Sequence, residues 1–154
     1  MKYIIDGYNV IHSIEQLRHK RLRSQREELI RLLEAASFRN RRFKDLTVVF
    51  DGQKGIVAPR IISNIKVVFS KGKCADRKIK EMVESCGFAR DIGVVSDDRQ
   101  IRSYASSSGA KRISVQEFMN KVRTSFNARA TFKLDPGEAE RINQELEQIW
   151  LADK

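Results

Sequence analysis

The chain has 154 residues, 30 Lys plus Arg against 20 Asp plus Glu, a formal net charge of +10, and a composition that is 41% hydrophobic and 32% charged. A chain of this size buries roughly 68 to 70% of its unfolded surface, so one compact domain is expected and disorder is excluded by composition. No apolar run reaches the roughly 18 to 20 residues that span a bilayer, and an acid at position 6 interrupts any signal-peptide pattern, so no membrane partner and a soluble, cytoplasmic protein are expected.

Taken in chain order, short β-branched runs alternate with amphipathic helical patterns, the sequence form of an α/β fold with a mainly parallel sheet. The predicted strands are Tyr3-Ile4-Ile5, Leu46 to Phe50, Ile65 to Phe69, Ile92 to Val95 and Lys111-Arg112-Ile113. A capping box of Ser24 with Glu27 predicts the start of a long helix that buries Leu22, Leu29, Leu32, Leu33 and Ala36. A helix from Ala75 to Cys86 carries Ile79, Met82, Val83 and Cys86 on one stripe, which makes Cys86 a core residue. Another follows Asp98 and ends near Gly109. A second capping box, Ser114 with Glu117, opens the helix that buries Val115, Phe118, Met119 and Val122. Asp135-Pro136 predicts a terminal helix, and Gly52 to Ser63 and Ser125 to Leu134 read as surface loops. Residues 1–124 thus form the main domain, with the loop and helix of 125–154 packed on it.

Charge is unevenly placed. Arg18 to Lys44 carries a net +7, Arg99 to Lys133 another +7, and the last twenty residues are acidic. Basic surfaces of this kind attract polyanions, RNA among them. Cys74 and Cys86 are isolated and the only His residues are His12 and His19, so neither a disulfide framework nor a Cys/His zinc site is supported.

Acids recur where apolar strands stop: Asp6, Asp51 and the pair Asp97-Asp98, joined by Asp76 in the first turn after the third strand. Each acid by itself is ordinary turn or cap chemistry. In a parallel sheet, however, all C-terminal strand ends share one edge, so these acids converge there. Clustered carboxylates repel one another unless a cation or protons neutralise them, and an all-oxygen set suits Mg²⁺ or Mn²⁺. Asn9, Ser96 and Ser70 are polar groups suited to orienting water or phosphate. Lys71, Lys73, Arg77 and Arg99 place positive charge beside the acids.

Asp6-Gly7-Tyr8-Asn9-Val10-Ile11 resembles the opening D-G-Y-N-x-I signature of YacP-like NYN domains, a branch of the PIN-like ribonuclease superfamily. Val48 to Gly52, Cys74 to Ile79, Val95 to Ile101 and the stretch from Gly109 to Phe118 resemble its later landmarks in the expected order, covering about residues 2 to 123. The resemblance implies a three-layer α/β/α PIN-like domain and a Mg²⁺- or Mn²⁺-dependent endoribonuclease. Its matching positions are Asp6, Asn9, Asp51, Asp76, Asp97 and Asp98. On that basis Asp6, Asp76, Asp97 and Asp98 are the candidate metal ligands: Asp6, Asp76 and Asp97 hold one or two ions, Asp51 and Asp98 complete the shell or bind its waters, and Asn9 and Ser96 orient the phosphate or those waters, leaving 5′-phosphate and 3′-hydroxyl ends. Arg21, Arg23, Lys71, Lys73, Arg77, Arg99 and Arg102 are the candidate RNA contacts, and Tyr8, Phe69 and Tyr104 are either stacking platforms or, the commoner role of such rings, core residues. The resemblance also implies messenger RNA as substrate and the ribosome as partner, and a homodimer is a candidate assembly. Ser70 to Cys74 lacks the extra acid found in many relatives, which leaves the number of ions open. The rival reading is a non-catalytic RNA-binding or ribosome-associated module that uses the basic faces alone.

Overall fold

A computed structural model of the chain describes residues 1–52, 60–62, 65–70 and 74–127. Lys2–Asp6 (β1) leads into helices Gly7–Ser13 (α1), Glu15–Arg18 (α2) and Leu22–Arg39 (α3). Strands Leu46–Phe50 (β2), Arg60–Ile62 (β3) and Ile65–Phe69 (β4) follow, then Ala75–Ser85 (α4), Ile92–Val95 (β5), Arg99–Ser107 (α5), Lys111–Ile113 (β6) and Val115–Asn127 (α6).

The six strands lie in the order β3-β4-β2-β1-β5-β6. All neighbours pair in parallel except β3 with β4, which is antiparallel. Strand alternation divides the core into two layers. Tyr3, Ile5, Val48, Phe50, Val95 and Ile113 pack against α1, α3 and α6. Ile4, Val49, Ile92 and Val94 pack against α4 and α5 on the opposite face. This is the expected three-layer α/β/α architecture. The chain moves outward from β1 through β2 to β4, then returns through α4 to β5 on the other side of β1. The reversal makes the β1–β5 boundary the topological switch point, the usual crevice of an open α/β sheet.

Three local expectations differ from the structure. Helix α3 starts at Leu22 with Arg21 as its N-cap residue, and Ser24 is not its cap. Glu27 bonds the Arg23 Nε at 3.0 Å instead, and Leu22 is half exposed. Arg60–Ile62, inside the predicted Gly52 to Ser63 loop, pairs as an edge strand through Ile62 with Ile65. Helix α6 continues to Asn127 through the predicted start of the Ser125 to Leu134 loop, because Phe126 is buried with Arg39 stacked over its ring at 5.2 Å. The second capping box forms, with the Glu117 amide donating to Ser114 Oγ at 3.1 Å. Cys86 is partly buried against the second layer, as expected. The terminal helix after Pro136, Lys71 and Lys73 lie outside the described residues.

Candidate active site at the carboxyl edge of the sheet

Asp6 is the last residue of β1 and also the N-cap of α1, where its Oδ1 accepts from the Asn9 amide at 3.4 Å. Helix α1 can start this close to β2 because residue 7 is glycine: an added Cβ would collide with the Phe50 ring. Asp6 is 8% exposed and points into the switch-point crevice, where Ser96 Oγ donates to its Oδ2 at 3.3 Å. The Asp6 carboxyl is raised to about 6, first because burial strips it of water, then because Asp76 and Asp98 add negative charge, with the Asn9 amide and Ser96 hydroxyl partly offsetting both.

β5 supplies the other wall. Ser96 is fully buried, and its Oγ also accepts from the Asp98 amide at 3.1 Å. Asn9 crosses the crevice, its Oδ1 accepting the Asp97 amide at 2.9 Å. The adjacent acids Asp97 and Asp98 then part company. Asp98 caps α5, Oδ1 accepting from the Gln100 and Ile101 amides at 2.8 and 3.1 Å, and its charge is felt at Asp6. Asp97 turns its Oδ1 to the Val115 amide at 3.0 Å and so ties β5 to the start of α6. Asp76, half-buried in the first turn of α4, faces Asp6 electrostatically from the third side.

Asp51 stands apart. It is exposed at the end of β2, and Ser70 Oγ donates to its Oδ1 at 3.1 Å while accepting the Gly52 amide at 3.2 Å. The structure therefore brings together Asp6, Asn9, Asp76, Ser96 and Asp98, holds Asp97 at their margin, and leaves Asp51 with Ser70 on the β2–β4 side.

Of the expected basic contacts, Arg23 pairs with Glu27 and Arg77 with Glu81 at 3.8 Å, Arg99 is exposed at the first turn of α5, and Arg21 is exposed at the start of α3. Arg102 is half-buried, with a buried Nε that has no hydrogen-bond partner. Arg26 was not singled out by the sequence. Its Nη1 donates to Tyr8 Oη at 3.1 Å and its guanidinium lies 5.6 Å from the Phe69 ring centre, which fixes a cation near the carboxyl ends of β1 and β4. Tyr8 and Phe69 are half-buried against Phe50, at 5.2 and 5.8 Å between ring centres, and Tyr104 Oη donates to Glu84 at 2.6 Å. These rings support neighbours and do not stand free as platforms.

The donor chemistry fits a hard divalent cation: a buried carboxylate, two further carboxylates repelling it, an amide and a hydroxyl. Among the described residues no three acids close on one point as a finished ligand shell.

A sequence model of the YacP-like NYN domain matches residues 3–152. This chain belongs to the YacP-like NYN domain family. NYN domains are nucleases with a PIN-like fold. The structure resembles crystal structures of Rae1 (YacP) from Bacillus subtilis, with a TM-score of 0.66 and 22% identity over 96% of this chain and 82% of that one. A single-substitution mutant of the same protein gives a TM-score of 0.68 and 22% identity, covering 99% of this chain and 89% of that one. At that identity the likeness establishes the shared NYN fold. No match was found among curated proteins.

Proposed function

We propose that this NYN domain is a divalent-metal-dependent endoribonuclease that hydrolyses RNA phosphodiester bonds. The observation that supports the reading most is the convergence of Asp6, Asp76 and Asp98 at the switch point, where burial first and then the charges of Asp76 and Asp98 raise the proton affinity of Asp6. Asp6, Asp76 and Asp98 would hold Mg²⁺ or Mn²⁺, with Asp97 supplying its remaining oxygen from the margin and Asp51 serving through water. A bound ion would supply positive charge to the phosphate oxygens and lower the pKa of a water molecule.

The residues of the chain do the rest. Ser96 and the Asn9 amide keep the Asp6 carboxylate in one orientation. Asn9 locks the β5 turn to α1, so that the walls of the crevice keep their spacing. Arg26, Arg99 and Arg102 offer guanidinium groups near this edge for phosphates on either side of the scissile one. Attack of an activated water on phosphorus with departure of the 3′-oxygen would leave 5′-phosphate and 3′-hydroxyl ends, and no histidine is required. Messenger RNA cut in association with the ribosome is the substrate we favour, supported by the family membership and the +10 charge.

The test is incubation of purified protein with single-stranded RNA and Mg²⁺ or Mn²⁺. Internal cuts with 5′-phosphate ends, lost on chelation and in Asp6→Asn, are expected. Cutting that survives chelation would remove the metal from the mechanism. Salt-sensitive RNA binding with no metal-dependent products would leave the RNA-binding module as the better reading.

A further inference from the structure

Parallel topology creates a second edge, opposite the acids, and its chemistry is the reverse. The strand starts and the segments that lead into them carry Lys2, Arg39, Arg41, Arg42, Lys44, Arg90, Lys111 and Arg112, against only Asp45 and Asp91. The register confirms the shared pole: Lys2 pairs with Ile92 and Gly93 with Lys111, and the Tyr3 amide bonds Asp45 at 2.9 Å. Strand steps of about 3.3 Å put Lys2 about 13 Å, Lys111 about 10 Å and Arg112 about 7 Å below Asp6 along the strand direction.

The pole is shaped as well as charged. Between the 3-10 turn at Arg41–Phe43, the edge strand β6 and helix α6 lies a groove of about 930 Å³, with Tyr3, Phe43 and Ile113 in its floor. Arg42, Lys111 and Arg112 line it, all three are exposed, and among the described residues their side chains have no hydrogen bond or ion pair. The acid that lines it, Glu117, is already paired with Lys121 at 2.9 Å. Two residues before Asn40, another lining residue, Phe38 is 86% exposed at the end of α3, and Phe88 is 80% exposed on the same pole. Phe38 and Phe88 are outside the residues that line the groove, so what it offers is unpaired cations around a concave surface, the pattern that grips a single-stranded backbone.

We infer that the groove between the Arg41–Phe43 turn, β6 and α6 is a second RNA-binding surface, which anchors a single-stranded stretch of RNA away from the cleavage edge. The inference rests on the RNA substrate proposed above, yet it concerns binding alone. Among the described residues Arg42, Lys111 and Arg112 bond none of Asp6, Asp76, Asp97 and Asp98, although Ile113 in the groove floor accepts from the Ser96 amide at 3.2 Å, so the groove backs onto the site and is assigned binding, not cleavage.

The test is equilibrium binding of a fluorescent single-stranded RNA to the full chain in EDTA, where no cleavage occurs, as a function of salt. Arg42→Ala/Arg112→Ala is compared with Arg31→Ala/Lys66→Ala, which removes two exposed cations elsewhere. The groove pair should weaken binding about tenfold and flatten the log–log salt slope by about 1.4, as expected for two lost phosphate contacts to a single strand. The control pair should do neither, and both variants should melt with wild type. Equal losses in the two pairs would reduce the effect to net charge, and unchanged binding in the groove pair would overturn the inference. So would capture of anionic lipid vesicles in preference to RNA. A protein that cuts nothing, yet shows the groove-specific loss, would refute the nuclease proposal and retain the second surface.

Discussion

Two acids at the same edge of the same sheet have opposite surroundings. At the β1–β5 boundary Asp6 is buried, fixed by Asn9 and Ser96, and repelled by Asp76 and Asp98. At the β2–β4 end Asp51 is exposed, and its described side-chain partner is a serine hydroxyl. Topology explains the contrast. At the switch point the connections leave β1 and β5 on opposite faces, opening a crevice, whereas β2 and β4 are adjacent parallel strands away from that reversal. A strand-end carboxylate becomes chemically unusual only where the crevice removes its water.

Substituting Asp6 should therefore give the largest effect. Asp6→Asn is expected to lower cleavage about 10³-fold, the scale of losing a preorganised charged group in an active site. It should also make the protein more stable at neutral pH. The folded-state carboxyl titrates at about 6 and the ordinary value is 3.8, so the folded form holds the proton more tightly. The favourable contribution is complete below pH 3.8 and is lost as pH rises through about 6, leaving the ionised group strained above that. Asp6→Asn should thus gain about 1 to 3 kcal/mol over wild type at pH 7 and nothing near pH 3.5, measured by urea unfolding at both pH values. A variant that loses stability at pH 7 would show that Asp6 is a structural cap and not a strained site acid.

The adjacent pair sharpens the contrast within one turn. Asp98 faces Asp6, and Asp97 faces α6. Asp98→Asn is expected to reduce cleavage about 10²-fold and Asp97→Asn about tenfold, from kcat at saturating RNA. The reverse order would make Asp97 the inner ligand. Alanine at either position should cost about 1 kcal/mol through the lost cap of α5 or the lost Val115 amide partner, which thermal melting would register.

Asn9 should come next. It joins α1 to the β5 turn by one 2.9 Å bond, and Asn9→Ala would hand the exposed Asp97 amide to water at a cost of about 0.5 to 1 kcal/mol. Its effect on cleavage should exceed what reduced stability explains, because the spacing of the two crevice walls is what it holds. Cleavage at a temperature well below both melting points separates the two contributions.

Much of this edge was legible in the sequence. Four of the five parallel strands are rich in β-branched residues, and the topology of such a fold brings Asp6, Asp76 and the Asp97-Asp98 pair to one edge without any contact information. The glycine of Asp6-Gly7 was visible as a turn, and its necessity came from the Phe50 ring, 43 residues away. Other features were not legible. β3 is only three residues long, and its pairing with β4 is tertiary. The Ser24-Glu27 pattern was a capping box in form, but Arg23 at i−4 claims Glu27 and the helix begins most of a turn earlier, with Arg21 in place of Ser24 as N-cap. Asp97 and Asp98 are indistinguishable in sequence because one peptide unit separates their opposite directions. Arg26 was hidden among ten basic residues, and its partners Tyr8 and Phe69 come from other elements.

Asp51 gives the smallest expected effect and the clearest limit on the acid cluster. Asn at this position retains an oxygen that can accept from Ser70 Oγ, and the residue is exposed, so Asp51→Asn should change stability by less than about 0.5 kcal/mol. Ser70→Ala should cost more, about 1 to 3 kcal/mol, because it strands the buried Gly52 amide. If Asp51 acts only through water at the rim of the site, its Asn variant should cut RNA within about threefold of wild type and need a higher Mn²⁺ concentration to do so. Loss of cleavage as deep as in Asp6→Asn would mean that the β2 end closes onto the switch point when RNA and ion are bound. The two halves of the edge would then be one site assembled by its substrate, and the burial of Asp6 alone would not mark its boundary.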